Sequence, residues 1–344
     1  METKILKPSE LAEAVSMLEQ GGLVSFPTET VYGLGADAMQ ETAVKRVYQA
    51  KGRPSDNPLI VHVASIDEIK QYVENFPEKA QQLGEKFWPG PLTMIFPIKE
   101  GIFSTAVTGG LSTVAFRIPN NIETIRLINQ FGHPLVGPSA NTSGKPSPTT
   151  AEHVYHDLNG KIEGILDGGA TTVGIESTVV DMTGELPMIL RPGAITLEQL
   201  SEVVGTVLVD KHLVAEEETP KAPGMKYKHY SPNTPVYMID WQKNNWQAAI
   251  DWAKATGQQY GLLANQEIID QYGADAYACH TLSEKRNVSA AMTQLFAGLR
   301  ALDESGLDST VIFSETYPEN GQGIAFMNRL KKASGQKYFD EKNL

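Results

Sequence analysis

Residues 9–35 read SELAEAVSMLEQGGLVSFPTETVYGLG, and the pattern of this stretch is repeated along most of the chain. Leu11, Ala14, Val15 and Leu18 recur at steps of three and four, the spacing of one helix face, and Ser9 is placed to cap its start. Gly21 and Gly22 suit its end, because helices commonly close on a residue in the left-handed conformation. The apolar run 23–26 then reads as a short strand. Residues 27–35 read as a loop after it, with hydroxyls, a carboxylate and two glycines. Open sheets bind ligands at strand carboxyl ends, so this loop lies where a site is expected.

The same alternation continues outward. A helix over 41–50 carries Val44, Val47 and Tyr48 on one side and leads to the apolar run 59–63. Strands are expected near 92–96, 113–118, 178–181 and 188–190, and helices near 77–87, 123–131 and 151–158. This pattern predicts an α/β or α+β first domain over 1–204, closing with a helix that starts at Thr196. Residues 205–235 read as a linker, with Glu216, Glu217 and Glu218 followed by Lys221, Lys226, Tyr227, Lys228, His229 and Tyr230 in a stretch, 220–232, that has no acidic residue. Such a cluster suits a lid folding over phosphates. Residues 236–344 repeat the β-α alternation on a smaller scale, with a long helix carrying Val288, Met292, Leu295, Leu299 and Leu302, and predict a small doubly wound, Rossmann-like unit. Gly321-x-Gly323 before its last helix is only a partial dinucleotide fingerprint, because Phe326 occupies the third glycine position.

Composition narrows the function classes. With 344 residues, 41% hydrophobic and 20% charged, the chain has the make-up of a folded globular protein of two domains. The start METKILKPSE lacks a secretory core, and no run of about 18 apolar residues is present, so a cytoplasmic location and no membrane partner are expected. Cys279 is the single cysteine, which excludes an internal disulfide and a multi-thiolate zinc site. A net charge of -12 argues against general nucleic-acid binding, so any anion site must be local.

Three polar segments carry the chemistry. Beside the 27–35 loop, Lys51-Gly52-Arg53 sets two cations around a glycine, an arrangement that suits a triphosphate, although an ordinary solvated basic loop has the same sequence. Residues 137–147, GPSANTSGKPS, offer small hydroxyl and amide donors just after the apolar Leu135 and Val136. Arg117, at the end of an expected strand, and Arg191, in the Leu190-Arg191-Pro192-Gly193 corner, suit either carboxylate and phosphate recognition or structural salt bridges. Ser177 opens a strand. His62 alternates with Val61 and Val63 and so projects opposite them, as a ligand contact or as a hydrogen-bonded core histidine. There is no Walker loop, Gly-x-Ser-x-Gly or Cys-His pairing, so side-chain nucleophilic catalysis is not expected.

In order, PTETVYGLGADA from Pro27, KGRP from Lys51, WPGPLT from Trp88, RIP from Arg117, PSANTSGKPSPT from Pro138, ESTVVD from Glu176 and RPGAI from Arg191 resemble the YrdC-like threonylcarbamoyl-AMP synthases. APGMKYKHYSP from Ala222 and GQGIAFMNRLKKA from Gly321 resemble the long form of that family. The resemblance implies a fold of α/β class, a YrdC-like twisted open sheet with helices plus a small Rossmann-like C-terminal α/β domain. It implies a nucleotidyltransferase that condenses L-threonine, bicarbonate and ATP to threonylcarbamoyl-AMP, releases pyrophosphate, and serves threonylcarbamoyladenosine modification of tRNA at position 37. Thr30, His62, Arg117, Gly137 and Ser177 would then contact threonine. Arg53, Asn57, Thr113, Ser139, Asn141, Ser147, Arg191 and Tyr230 would contact ATP, with Lys51 and Arg53 catalytic at the phosphates. Mg²⁺ would accompany ATP, its ligands unassigned, and the product would pass to downstream tRNA threonylcarbamoyl transferase machinery, with direct tRNA contact possible. Two alternatives stand beside this: a tRNA or double-stranded RNA binding module on a locally basic concave sheet, and a carbamoyl-phosphate-using enzyme, which would be expected to carry cysteine-rich zinc segments.

Overall fold

The structure is a computed structural model and describes residues 2–210, 230–303 and 310–340. The expected lid residues Lys221, Lys226, Tyr227, Lys228 and His229 lie outside the described residues. Contacts divide the chain into two compact units. Met1–Ser143, Ser147–Thr172 and Glu176–Tyr227 form the first, and Gly144–Pro146, Val173–Ile175 and Lys228–Leu344 the second.

The first unit is built on a mixed sheet. Among the described residues its strands are β1 (Lys4–Leu6), β2 (Val24–Phe26), β3 (Gly33–Asp37), β4 (Ile60–His62), β5 (Leu92–Pro97), β6 (Thr113–Arg117), β7 (Leu135–Val136), β8 (Gly164–Leu166), β9 (Thr178–Asp181), β10 (Met188–Arg191) and β11 (Leu208–Val209). They lie in the order β1-β8-β2-β3-β7-β4-β6-β5-β9-β10-β11. Alternation assigns its two faces. Val61, Val63, Met94, Phe96, Val114, Phe116 and Val180 point into the main core, where they meet Val44 and Val47 of helix Glu41–Lys51 and Leu83 of helix Glu78–Phe87. Each such large apolar side chain contributes roughly 1.5–3 kcal/mol on burial. The opposite face carries a smaller apolar patch, Ile60, Ile95, Ala115, Val179 and Leu190, together with His62 and Arg117.

The structure departs from the expected opening stretch at two points. Residues 27–35 are not one loop, since the chain turns over 27–32 and returns as β3, antiparallel to β2 with Phe26 opposite Gly33 and Val24 opposite Gly35. The glycines are needed there for packing, because a Cβ at Gly33 would come within 2.7 Å of the Phe26 ring and one at Gly35 within 2.9 Å. Ser9 is not the helix cap either. It lies in a 3-10 turn, Pro8–Glu10, ahead of helix Leu11–Glu19, and the Lys7 backbone N–H donates to the Glu10 carboxylate at 2.7 Å. Thr196 does cap its helix, accepting from the Gln199 N–H.

The second unit holds a four-stranded parallel sheet among the described residues, β12 (Val236–Ile239), β13 (Gln259–Ala264), β14 (Ala278–Thr281) and β15 (Thr310–Glu315), in the order β12-β15-β13-β14. Helices Trp246–Ala255, Gln266–Tyr272, Val288–Asp303 and Gln322–Ser334 complete it. At the carboxyl ends of these strands, where such sheets hold ligands, the protein's own side chains bond to one another. Glu315 accepts from the backbone and side-chain nitrogens of Asn265 at 2.8 and 2.9 Å and pairs with Arg286 Nε at 2.9 Å. Phe326 packs edge-on against Tyr317 at 4.8 Å, so the incomplete glycine fingerprint corresponds to a filled space.

Candidate active site

The site face of the first sheet gathers polar side chains because the sheet is mixed. Parallel β4 and β6 end together, with His62 opposite Arg117. β5 runs antiparallel to β6 and parallel to β9, so the starts of those two strands, with Thr93 and the preceding Ser177, arrive at the same end. Reading only strand carboxyl ends from sequence would find half of this set. Thr93 was not anticipated, and its signal was its place between the apolar Leu92 and Met94.

His62 is 2% exposed, and Phe26 meets it edge-on at 5.2 Å. Burial, and secondarily the positive charge of Arg117, hold its pKa well below the usual histidine range, so the ring is neutral. Its Nδ1 has no hydrogen-bond partner. Gly137 fits against it only as glycine, because a Cβ there would stand 2.6 Å from both His62 Nδ1 and the tip of Phe26. Phe26 thus forms a floor under three glycines and the imidazole, a role that its apolar run alone did not disclose.

Arg117 realises both readings open for it. Nη1 donates to Thr30 Oγ1 at 2.8 Å, and Nη2 lies 2.7 Å from Glu29 Oε2 with both side chains 5% exposed. That pair is close in charge yet not aligned as a hydrogen bond, so Nη2 keeps unmet donor capacity. Thr30 is further fixed by Thr28, whose hydroxyl lies 2.8 Å from its own. Ser177 shares a hydrogen bond with Thr93 at 2.8 Å, and Arg191 donates to its hydroxyl and its carbonyl, both at 3.1 Å. Arg191 is therefore held at the site by Ser177.

The loops expected at phosphates are tied together by Lys51. Its ammonium donates to the carbonyls of Ser139 and Asn141, the latter at 2.7 Å, with Asn141 Oδ1 at 3.5 Å. Ser139 also pairs with Gly33, which lays this loop beside β3. Arg53 reaches the carbonyls of Asn57 and Pro58 at 3.5 and 3.4 Å and borders a groove of about 830 Å³ shared with Tyr48, Ser55, Thr105 and Gly109. Asn57 is buried with its Oδ1 unpartnered. Tyr48, its hydroxyl pKa pushed up to about 12 by burial, bonds the Asn57 carbonyl at 2.9 Å. Ser147 donates to Glu176 at 2.5 Å. Thr113 opens β6 on the same face as Arg117, about 13 Å along the strand. Tyr230 belongs to the second unit, where its ring packs on Phe296 at 5.1 Å. Among the described residues, no group of three or more His, Cys, Asp or Glu side chains is placed to hold a metal ion, and no helix is long and apolar enough to cross a membrane.

Residues 16–193 match the Sua5, YciO and YrdC family model, described as "Telomere recombination", and residues 195–335 match the model described as "Threonylcarbamoyl-AMP synthase, C-terminal domain". A threonylcarbamoyl-AMP synthase of Bacillus subtilis is 46% identical over 327 residues, covering 95% of this chain and 93% of that protein. The chain belongs to the threonylcarbamoyl-AMP synthase family. A second member, from Pyrococcus abyssi, is 44% identical and covers 94% of this chain and 93% of its own length. The crystal structure of Pyrococcus abyssi Sua5 complexed with L-threonine superposes with a TM-score of 0.90 at 40% identity, covering 98% of this chain and 99% of that one. Likeness at that level extends over both units of this synthase family member.

Proposed function

We propose that this protein is an L-threonylcarbamoyladenylate synthase, a nucleotidyltransferase that condenses L-threonine, bicarbonate-derived carbon dioxide and ATP with release of pyrophosphate, in the cytoplasm, to supply threonylcarbamoyladenosine formation at position 37 of tRNA. The observation that carries the reading is one sheet face on which a neutral histidine, an arginine with donor capacity to spare and two hydroxyls converge, with Lys51 at the end of helix Glu41–Lys51, Arg53 just after it and Arg191 at the end of β10. The activity in the names of its relatives, and the threonine in the complex of the Pyrococcus abyssi protein, support the same reading.

In this reading Thr30, His62, Arg117, Gly137 and Ser177 hold threonine while its amine takes up carbon dioxide. The carbamate oxygen attacks the α-phosphorus of ATP, and pyrophosphate leaves. No protein nucleophile is required. Arg53 and Arg191 offset the charge that develops, and Lys51 shapes the Ser139 to Asn141 loop around the phosphates, so catalysis rests on alignment and electrostatics. Asn57, Thr113 and Ser147 are assigned to the rest of the nucleotide. Mg²⁺ would accompany ATP as its counter-ion. The product then goes to a transferase that acts on tRNA.

Discrimination between threonine and valine tests this assignment. A buried site that bonds a substrate hydroxyl rejects the isostere lacking it by roughly 10⁴-fold, far more than an apolar pocket could. Pyrophosphate release should therefore require threonine. Equal turnover with valine would overturn the threonine assignment.

A further inference from the structure

Glu29 meets the site through its pairing with Arg117. Its side chain is 5% exposed, and its two oxygens are used unequally. Oε2 accepts from the Asn120 N–H at 3.1 Å and lies 2.7 Å from Arg117 Nη2. Oε1 is buried and has no hydrogen-bond partner. Leaving a buried polar atom unbonded costs about 1–3 kcal/mol, more when it is charged, so such an atom calls for an explanation.

Two further unmet groups lie close by. Arg117 Nη2 has no aligned acceptor, and His62, opposite Arg117 in the ladder, has an unpartnered Nδ1. Glu29 Oε1 therefore offers an open anionic acceptor beside the Arg117 guanidinium, with the neutral His62 ring opposite Arg117 in the ladder. A β-hydroxy α-amino acid offers the complement: amine donors, a carboxylate acceptor and a hydroxyl.

We propose that Glu29 is a positioning and specificity-determining residue whose Oε1 receives an N–H of the substrate amino group, while Oε2 keeps Arg117 turned toward the substrate carboxylate. The inference rests on the threonine reading above and assigns the nitrogen a partner of its own. The carbamate nitrogen keeps one N–H, so the same acceptor holds it before and after the carbon is added. An amino acid without its amine would leave Oε1 unsatisfied, and the site would reject it for the reason that a hydrogen-bonding pocket rejects any substrate lacking the matching group.

The test compares calorimetric binding of L-threonine and of (R)-3-hydroxybutyrate, which is threonine without its amine, to the full-length protein and to its Glu29→Gln and Glu29→Asp variants. Asp keeps the charge beside Arg117 and withdraws the carboxylate by one methylene, so it remains informative where Gln disturbs folding. The unaltered protein should bind threonine at least about 100-fold more tightly than the deamino compound. Each variant should lose at least about 10-fold more in affinity for threonine than for 3-hydroxybutyrate, because the Arg117 contact with the carboxylate is common to both compounds and the amine contact belongs to threonine alone, and this narrows the ratio. Equal losses for both compounds in both variants, or no loss for threonine, would overturn the role of Glu29. Failure of the unaltered protein to bind threonine would instead remove the threonine reading itself.

Discussion

At neutral pH His62 carries no charge, because burial and the neighbouring guanidinium both oppose protonation. The sign of the consequence follows from linkage. The unfolded chain takes up a proton near pH 6.5 that the folded protein refuses, so the folded state has its full advantage above that pH. Below it the advantage falls by about 1.4 kcal/mol per pH unit until the depressed folded-state pKa is reached. Urea midpoints at pH 7.5 and 5.5 should therefore show a loss larger in the native protein than in His62→Gln by about 1 kcal/mol. Equal losses would mean that the ring protonates in place. Arg117→Lys should reduce threonine affinity 10-fold or more by calorimetry and leave ATP binding within about twofold, because a lysine cannot reproduce a fork held by Thr30 and Glu29 together. A parallel loss of ATP binding would mean that the substitution disturbs the sheet rather than one contact. The side of the sheet that His62 faces was legible from its alternation with Val61 and Val63. Glu29 was not legible as a partner of Arg117, because a lone carboxylate in a polar segment has no periodicity to mark it, and the two meet only through pairing of distant strands.

Elements place these residues more tightly than any one contact does. The 137–143 loop lies against Phe26 and His62 on one side, and Lys51 holds it through its carbonyls on the other. Gly137→Ala should cost about 1–3 kcal/mol in denaturant unfolding, since its Cβ would stand 2.6 Å from both the Phe26 ring and His62 and one of them must shift, and should weaken threonine binding with it. Lys51→Met removes the ammonium that donates to the Ser139 and Asn141 carbonyls, so it should lower thermal stability and raise the KM for ATP more than that for threonine. An unchanged melting temperature would return Lys51 to a direct role at the phosphates alone. Helices such as Glu41–Lys51 and Ala151–Leu158 were readable from their apolar spacing. The strand Gly33–Asp37 was not. Its glycines read as a turn, and only packing under Phe26 explains them. The four-residue helix Thr105–Thr108 and the short edge strands β1 and β11 are too brief for a periodic signal.

At the scale of the molecule, a net charge of -12 leaves little general attraction for a polyanion, while the cations that count are gathered at one sheet face and its loops. Threonine-dependent pyrophosphate release should therefore fall by less than about threefold between 50 and 200 mM salt, whereas a binder making six or more phosphate contacts loses at least about 10³ in affinity over that range. The most direct measurement of the central claim is a single reaction with the full-length protein, ATP, labelled bicarbonate and each amino acid in turn, read by pyrophosphate release and by mass analysis of the adenylate. The expected result is pyrophosphate in step with a labelled threonylcarbamoyl-adenylate, formed with threonine and with no other amino acid. Pyrophosphate without a need for threonine, or an adenylate that carries no label from bicarbonate, would contradict it.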